Sequence, residues 1–255
     1  MIRFILIVII VVGFLILSIP ILFVEWLIGK WNPRAKDLSS LRIVQFMFRL
    51  ILGVAGKKVT VIGEEYVPKD QPVLYVGNHN SFFDILVTYS RCPNLTGYIA
   101  KDSMEKIPLL STWMKRLHCL FLNRTDIKEG LKTILTGVEK IKSGISICIF
   151  PEGTRNKKNH LELQPFKEGS MKIAEKTGCP IITMSLNNTA EIFEDHFPRI
   201  KPAHVILEYG KPIFPKDLPK EDRKFLGAYT QKIISQTVLK NAGIEDQDHT
   251  DRKVQ

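Results

Sequence analysis

Residues 120–150 read LFLNRTDIKEGLKTILTGVEKIKSGISICIF. Two short apolar runs, at 120–122 and 145–150, flank a stretch whose apolar residues recur every three or four positions, which predicts strand, helix and strand. Asp126 can cap the start of this helix, and Gly144 can end it. The residues expected to share its apolar face are Ile127, Leu131, Ile134, Leu135, Val138 and Ile141. A helix between two strands is typical of an α/β protein with parallel strands.

The same alternation extends outward along most of the chain. Further apolar runs, rich in β-branched residues and bounded by Gly, Pro or Asn, predict strands at 59–62, 73–76, 98–100, 181–186 and 205–209. We therefore expect an α/β fold with a largely parallel central sheet flanked by helices, preceded by an N-terminal membrane-embedded helical segment. The predicted organisation is membrane-anchoring helices over 1–58, the α/β domain over 59–240 and a polar tail over 241–255.

The membrane segment is predicted from two apolar stretches. Residues 4–24 are 21 consecutive residues without a charge, and a helix of that length covers about 30 Å, close to one hydrocarbon core. Pro20 should bend or break this helix, which then either spans the bilayer or dips into one leaflet and returns. In 38–54, Arg42, Gln45 and Arg49 form a narrow polar stripe, which favours an interfacial helix over an amphipathic helix packed on a soluble core.

The distribution of charge favours a membrane surface over nucleic acid as a partner. The 255 residues include 36 Lys plus Arg and 26 Asp plus Glu, a net charge of +10. Eight basic and only two acidic side chains fall within residues 1–60, so most of the excess lies beside the apolar segment, where it would attract anionic lipid head groups. The four cysteines are widely spaced and form no C-x-x-C pair, which favours a reducing compartment and predicts no metal site.

A histidine and an aspartate follow the strand predicted at 73–76. Residues 78–84 read NHNSFFD, which places His79 in the turn after the strand and Asp84 in the first turn of the next helix, with Ser81 as its cap. From there Asp84 can fold back onto the imidazole, fix its tautomer and raise the basicity of its other nitrogen. The pair predicts a general base, although a lone histidine at a strand end is more often hydrogen-bonded to backbone.

Two arginines follow other predicted strands. Residues 150–155 read FPEGTR, in which Gly153 permits a tight turn while Thr154 and Arg155 present a hydroxyl and a forked cation suited to phosphate. Residues 121–124 read FLNR and place Arg124 at the end of another strand. Taken singly, each arginine is more typical of a solvated surface position.

Together these three segments resemble the motifs of the glycerolipid acyltransferases, and most closely those of the 1-acylglycerol-3-phosphate acyltransferases. The similar pattern covers most of residues 60–210. The resemblance implies that His79, oriented by Asp84, takes a proton from a hydroxyl, which then attacks the thioester of acyl-CoA or acyl-carrier protein without a metal or other cofactor. It also implies that the residues binding the acceptor, with the arginines on its phosphate, are Arg124, Glu152, Gly153, Thr154 and Arg155.

The expected function is acyl transfer to the sn-2 hydroxyl of lysophosphatidate, which gives phosphatidate in phospholipid biosynthesis. Three positions depart from the family pattern, namely His118, Asn123 and Thr183. Glycerol-3-phosphate, another lysophospholipid or transacylation from a phospholipid therefore remain alternatives, as does a non-enzymatic membrane lipid-binding module. The catalytic domain is expected at the cell membrane on the cytoplasmic face, where acyl thioesters are made, and the basic flank of the apolar segment agrees with this orientation.

Overall fold

A computed structural model describes the backbone of residues 1–251 and the side chains of residues 1–243. Within these residues, seven strands form the central sheet. They are β1 (Lys58–Ile62), β2 (Leu74–Gly77), β3 (Thr96–Lys101), β4 (Leu120–Leu122), β5 (Ser146–Ile149), β6 (Ile181–Asn187) and β7 (His204–Tyr209). Their order across the sheet is β1-β7-β6-β2-β5-β3-β4. Each neighbouring pair is parallel except β6 and β7. The largely parallel sheet is confirmed, and each predicted strand lies within two residues of its expected ends.

Helices cover both faces of this sheet. One face carries α1 (Ile2–Leu17), α2 (Ile19–Trp31), α3 (Pro33–Ala55), α4 (Phe82–Tyr89) and α5 (Leu110–Arg116). The other carries α6 (Ile127–Lys142), α7 (Lys172–Thr177) and, after the short α8 (Lys220–Lys224), the long α9 (Leu226–Asp251). Along β2, Tyr75 packs into the first core whereas Leu74 and Val76 pack into the second. Because both faces are covered, the central strands β2, β5 and β6 are buried along their whole length and mostly apolar.

The N-terminal apolar stretch bends where the sequence predicted it. Its two helices, α1 and α2, meet at Ser18 at an angle of 46°, and Pro20 lies in the first turn of α2, where its missing N–H costs least. Ser18 is buried, and its hydroxyl accepts a hydrogen bond of 2.9 Å from the indole N–H of Trp113 in α5. By length and composition, α3 could cross a membrane, and the bent pair is a second candidate if its two helices count as one span.

The polar stripe predicted on 38–54 is only partly exposed, which corrects that expectation. Gln45 is 1 % exposed, and its amide N–H groups donate to the backbone carbonyls of Tyr89 and Cys92 at 3.2 and 2.7 Å. Its carbonyl oxygen accepts from Arg42 at 3.0 Å. The C-terminal end of α4 leaves carbonyl groups that need donors, so this face of α3 packs on the body of the protein, and the apolar ring of Phe46 is exposed instead.

The helix predicted at 127–143 is present as α6, but less of its apolar face is buried than the pattern indicated. The Asp126 carboxylate caps it by accepting from the N–H groups of Lys128 and Glu129. The buried part contains Ile134, Val138 and Ile141, whereas the exposed part contains Ile127, Leu131 and Leu135. The hydroxyl of Thr133 in α6 donates to the carbonyl of Phe121 in β4, and β4 is the edge strand of the sheet. The side of α6 that carries Leu131 and Leu135 therefore has no further strand of the described chain beneath it.

The polar tail predicted for 241–255 begins inside α9. This helix continues to Asp251, and residues 252–255 lie outside the described part of the chain.

Candidate active site

The motif residues meet at the carboxyl edge of the sheet. Because β2, β5 and β4 run parallel, their C-terminal ends lie on the same edge. The loop after β2 carries His79, the loop after β5 carries residues 150–155, and the end of β4 leads to Arg124. Ligands of α/β proteins bind at this edge of the sheet.

His79 and Asp84 form the predicted pair. The Nδ1 atom of His79 lies 2.8 Å from Oδ2 of Asp84, whose side chain is fully buried. The imidazole also stacks on the ring of Phe150, with 4.4 Å between ring centroids and 15° between planes. An ionised carboxylate only accepts hydrogen bonds, so Nδ1 carries the proton and Nε2 is the nitrogen that can take up another.

The capping of α4 explains why the aspartate stands five residues after the histidine. Ser81 is the N-cap, and its hydroxyl oxygen accepts from the N–H of Phe83 at 2.9 Å. Oδ2 of Asp84, at the third position of the helix, accepts from the N–H groups of Asn80 and Ser81, both at 2.7 Å. Its other oxygen accepts from the hydroxyl of Thr189. The same carboxylate thus closes a capping box and orients the imidazole.

Glu152 supports the backbone of His79. One carboxylate oxygen accepts from the N–H of His79 at 2.7 Å and the other from the N–H of Gln164 at 3.0 Å. The carbonyl of His79 accepts in turn from the N–H of Asn156 at 2.7 Å. Burial raises the pKa of Glu152, against which the two backbone hydrogen bonds act. These contacts give Glu152 a positioning role, and its expected contact with the acceptor stays a prediction.

The next three residues of the loop after β5 are Gly153, Thr154 and Arg155. Gly153 has φ +74°, a backbone conformation that favours glycine. Thr154 is exposed. Nη1 of Arg155 donates to Glu194 at 2.8 Å, and the guanidinium lies 3.7 Å from the ring centroid of Phe82.

Glu194 is a site residue that the sequence did not reveal. Its carboxylate accepts from the hydroxyl of Ser81 at 2.5 Å, from the N–H of Phe82 at 2.8 Å and from Arg155. It follows Ser81 by 113 positions and belongs to no recognisable motif, so only the fold brings it to α4.

Arg124 lies at the same edge but farther from His79. It is exposed, burial of part of its side chain lowers its pKa, and the nearby charge of Asp102 raises it. Strand β4 stands three positions from β2, which corresponds to about 14 Å at the usual spacing of strands. The structure therefore brings Asp84 and Glu152 into direct contact with His79. Arg155 lies beside them through Glu194, and Arg124 lies at one side.

One departure from the family pattern has a structural explanation. His118 has φ +58°, a conformation in which glycine is most at ease and histidine is among the tolerated residues. Its Nε2 lies 2.8 Å from Asp37 of α3, and its Nδ1 lies 3.1 Å from the ammonium nitrogen of Lys140. In this chain the position therefore links the sheet to the N-terminal helices.

Within the described residues no group of three or more His, Cys, Asp or Glu side chains could hold a metal ion.

The fold and the site define an acyltransferase. The model of the family described as acyltransferase matches residues 58–187, from β1 to the end of β6. The chain therefore belongs to this family, which confirms the resemblance drawn from the three motifs.

Individual relatives place the chain more narrowly. It is 29 % identical over 220 residues to the 1-acyl-sn-glycerol-3-phosphate acyltransferase of Saccharomyces cerevisiae, a match that covers 85 % of this chain and 70 % of that protein. It is 34 % identical over 157 residues to the Borreliella burgdorferi protein of the same name, covering 60 % of this chain and 61 % of that one. The crystal structure of PlsC, the 1-acyl-sn-glycerophosphate acyltransferase of Thermotoga maritima, has the same fold, with a TM-score of 0.80, 24 % identity and coverage of 94 % and 95 % of the two chains.

Proposed function

We propose that this acyltransferase moves an acyl chain from an acyl thioester to the sn-2 hydroxyl of lysophosphatidate, which gives phosphatidate. The observation that carries the proposal is the buried Asp84 carboxylate on Nδ1 of His79, because it leaves Nε2 as a base at the open edge of the sheet. The names of the yeast and Borreliella relatives supply the acceptor.

The proposed reaction needs one proton carrier. Nε2 of His79 takes the proton of the acceptor hydroxyl as its oxygen attacks the thioester carbonyl. The tetrahedral intermediate then collapses, the carbon–sulfur bond breaks, and the thiolate leaves with the proton from the imidazolium. The charge of Asp84 stabilises the imidazolium between these two proton transfers.

Direct transfer is favoured over an acyl-enzyme. Ser81 is the serine nearest to His79 in sequence, and its hydroxyl oxygen caps α4 while its O–H donates to Glu194. The chain also contains no G-x-S-x-G motif. A hydroxyl engaged at both its donor and acceptor sides is a poor candidate for the nucleophile.

We assign the acceptor phosphate to the loop after β5, with Arg124 reaching it from β4. A guanidinium carries five N–H donors, and Glu194 engages Nη1 of Arg155, so other donors of this fork can bind phosphate oxygens. Gly153 and Thr154 complete the loop with little side-chain bulk. No metal or other cofactor takes part in the proposed reaction.

The proposed location is the cell membrane, with the catalytic domain on the cytoplasmic face. Helices α1 and α2 carry many exposed apolar side chains, among them Ile9, Phe23 and Trp26, which are 60 %, 60 % and 49 % exposed. Burying these groups in lipid would remove apolar surface from water, and the basic residues nearby would bind anionic head groups. Membrane lipid and acyl thioester are then the partners, without nucleic acid.

An acceptor panel tests the proposal. Purified protein in detergent micelles receives acyl-CoA, or acyl-carrier protein in a parallel series, with lysophosphatidate, glycerol-3-phosphate, lysophosphatidylcholine or no acceptor. Released thiol is followed by absorbance and the lipid product by mass spectrometry. We expect thiol release and phosphatidate only with lysophosphatidate. Turnover with another acceptor alone would show that this acceptor, and not lysophosphatidate, is the substrate. No turnover with either donor would favour a lipid-binding module.

A further inference from the structure

The segment from Thr189 to Glu194 is attached to the first turn of α4 at both of its ends. At one end Thr189 donates its hydroxyl hydrogen to Asp84. At the other end Glu194 accepts from the hydroxyl of Ser81 and from the N–H of Phe82. The side chain of Glu194 is 16 % exposed and that of its ion-pair partner Arg155 is 26 % exposed, so the pair is largely shielded from solvent.

Glu194 brings a negative charge to the place where Arg155 meets the N-terminus of α4. The N-terminus of a helix carries a partial positive charge, which disfavours a cation beside it. The guanidinium of Arg155 nevertheless lies over the ring of Phe82, the first residue of α4. The carboxylate of Glu194 contacts both the helix end and the guanidinium. It therefore offsets the charge of Arg155, whereas the helix end is shared with the carboxylate of Asp84.

We propose that Glu194 is a positioning residue for the acceptor, which acts by holding the Arg155 guanidinium where it meets the acceptor phosphate. This inference rests on the proposed function, in which Arg155 binds that phosphate. Glu194 holds Nη1 of the guanidinium and the ring centroid of Phe82 lies 3.7 Å from its central carbon, while the donors on Nε and Nη2 complete the fork. A planar fork held in this way loses little freedom when a phosphate binds.

The test compares Glu194→Gln with Asp195→Asn. Glutamine keeps the size and one acceptor of Glu194 but removes its charge. Asp195 is the adjacent acid, and its carboxylate contacts His160 at 3.0 Å, so this control removes the same charge from the same segment without touching Arg155. We expect Glu194→Gln to raise KM for lysophosphatidate about tenfold, the scale of one lost charge-assisted hydrogen bond. KM for acyl-CoA and kcat should change less than about threefold, and Asp195→Asn should resemble the wild type.

Arg155→Ala and the double variant separate the possible outcomes. If Glu194 acts through Arg155, then adding Glu194→Gln to Arg155→Ala leaves KM for lysophosphatidate unchanged. An additive effect, or a fall in kcat with an unchanged KM, would overturn the inference and make Glu194 only a structural cap of α4. If Arg155→Ala itself leaves KM unchanged, the assignment of the phosphate contact fails instead. Thermal unfolding of each variant confirms that the compared proteins are folded.

Discussion

Replacing Asp84 by asparagine separates the charge of the proposed catalytic pair, His79 and Asp84, from its geometry. Oδ2 of Asp84 accepts from His79 Nδ1 and from the N–H groups of Asn80 and Ser81. Because two backbone donors face this position, the carbonyl oxygen of asparagine must occupy it, and the amide NH₂ then faces Thr189. The Thr189 hydroxyl can rotate to accept. The Asp84→Asn variant therefore keeps the tautomer of His79 and loses only the negative charge.

The expected fall in kcat follows from removing the negative charge next to the imidazolium. Two unit charges about 4 Å apart interact by about 4 kcal/mol at an effective dielectric constant of about 20. The imidazolium is only partly formed in the transition state, so we expect a loss of about 2–4 kcal/mol, or about 30- to 1,000-fold in kcat. Asp84→Ala is less informative, because it removes the acceptor of four donors, at about 1–3 kcal/mol for each buried donor left unpaired, and threatens the fold.

The assay is the rate of thiol release at saturating acyl-CoA and lysophosphatidate, with Asp126→Asn as the matched control. Asp126 caps α6 much as Asp84 caps α4, but it lies at an exposed helix start, and asparagine is an equally good cap. We expect the control to keep the wild-type kcat. A folded Asp84→Asn protein with kcat within about threefold of the wild type would refute the reasoning, since a charge worth several kcal/mol cannot then be supporting His79.

Three further predictions concern the rest of the site and the anchor. Glu152→Gln has one acceptor for the two N–H groups of His79 and Gln164, so its free energy of unfolding in urea should fall by about 1–3 kcal/mol, and an unchanged value would contradict the positioning role. Arg124→Ala should raise KM for lysophosphatidate about tenfold with KM for acyl-CoA unchanged. An equal effect on both KM values would contradict the assigned contact between Arg124 and the acceptor phosphate. Phe23→Asp should weaken binding to anionic vesicles, measured by flotation, by roughly tenfold or more. The reason is that it deletes an exposed aromatic side chain whose burial in lipid is worth about 1.5–3 kcal/mol. Undiminished flotation would show that the membrane contact does not involve this part of α2.

The strands and the contact between His79 and Asp84 were predictable because their signals are local. Each strand contains a short apolar run between turn residues, and burial on both faces makes the central strands mostly apolar. The pairing of His79 with Asp84 follows from a capping box that seven consecutive residues encode. The bend at Ser18 was likewise predictable from the chemistry of Pro20 alone.

The features that sequence reasoning missed depend on distant parts of the chain. Gln45 looked like part of a polar stripe, but the carbonyl groups that it satisfies belong to residues 44 and 47 positions away. The exposed side of α6 depends on the position of β4 at the edge of the sheet, which periodicity does not reveal. Glu194 reaches α4 only because the segment after β6 folds back across the site. In each case the missing information is a tertiary neighbour rather than a local preference.

The most direct test of the central claim is kcat of His79→Ala with lysophosphatidate and acyl-CoA, measured as thiol release and phosphatidate formation on protein shown to be folded by thermal unfolding. The backbone hydrogen bonds of His79 to Glu152 and Asn156 survive this change, so the variant removes the base while its loop stays held. If Nε2 of His79 takes the proton of the acceptor hydroxyl, kcat should fall by about 10²- to 10⁴-fold. Turnover within about threefold of the wild type in a folded protein would contradict the claim.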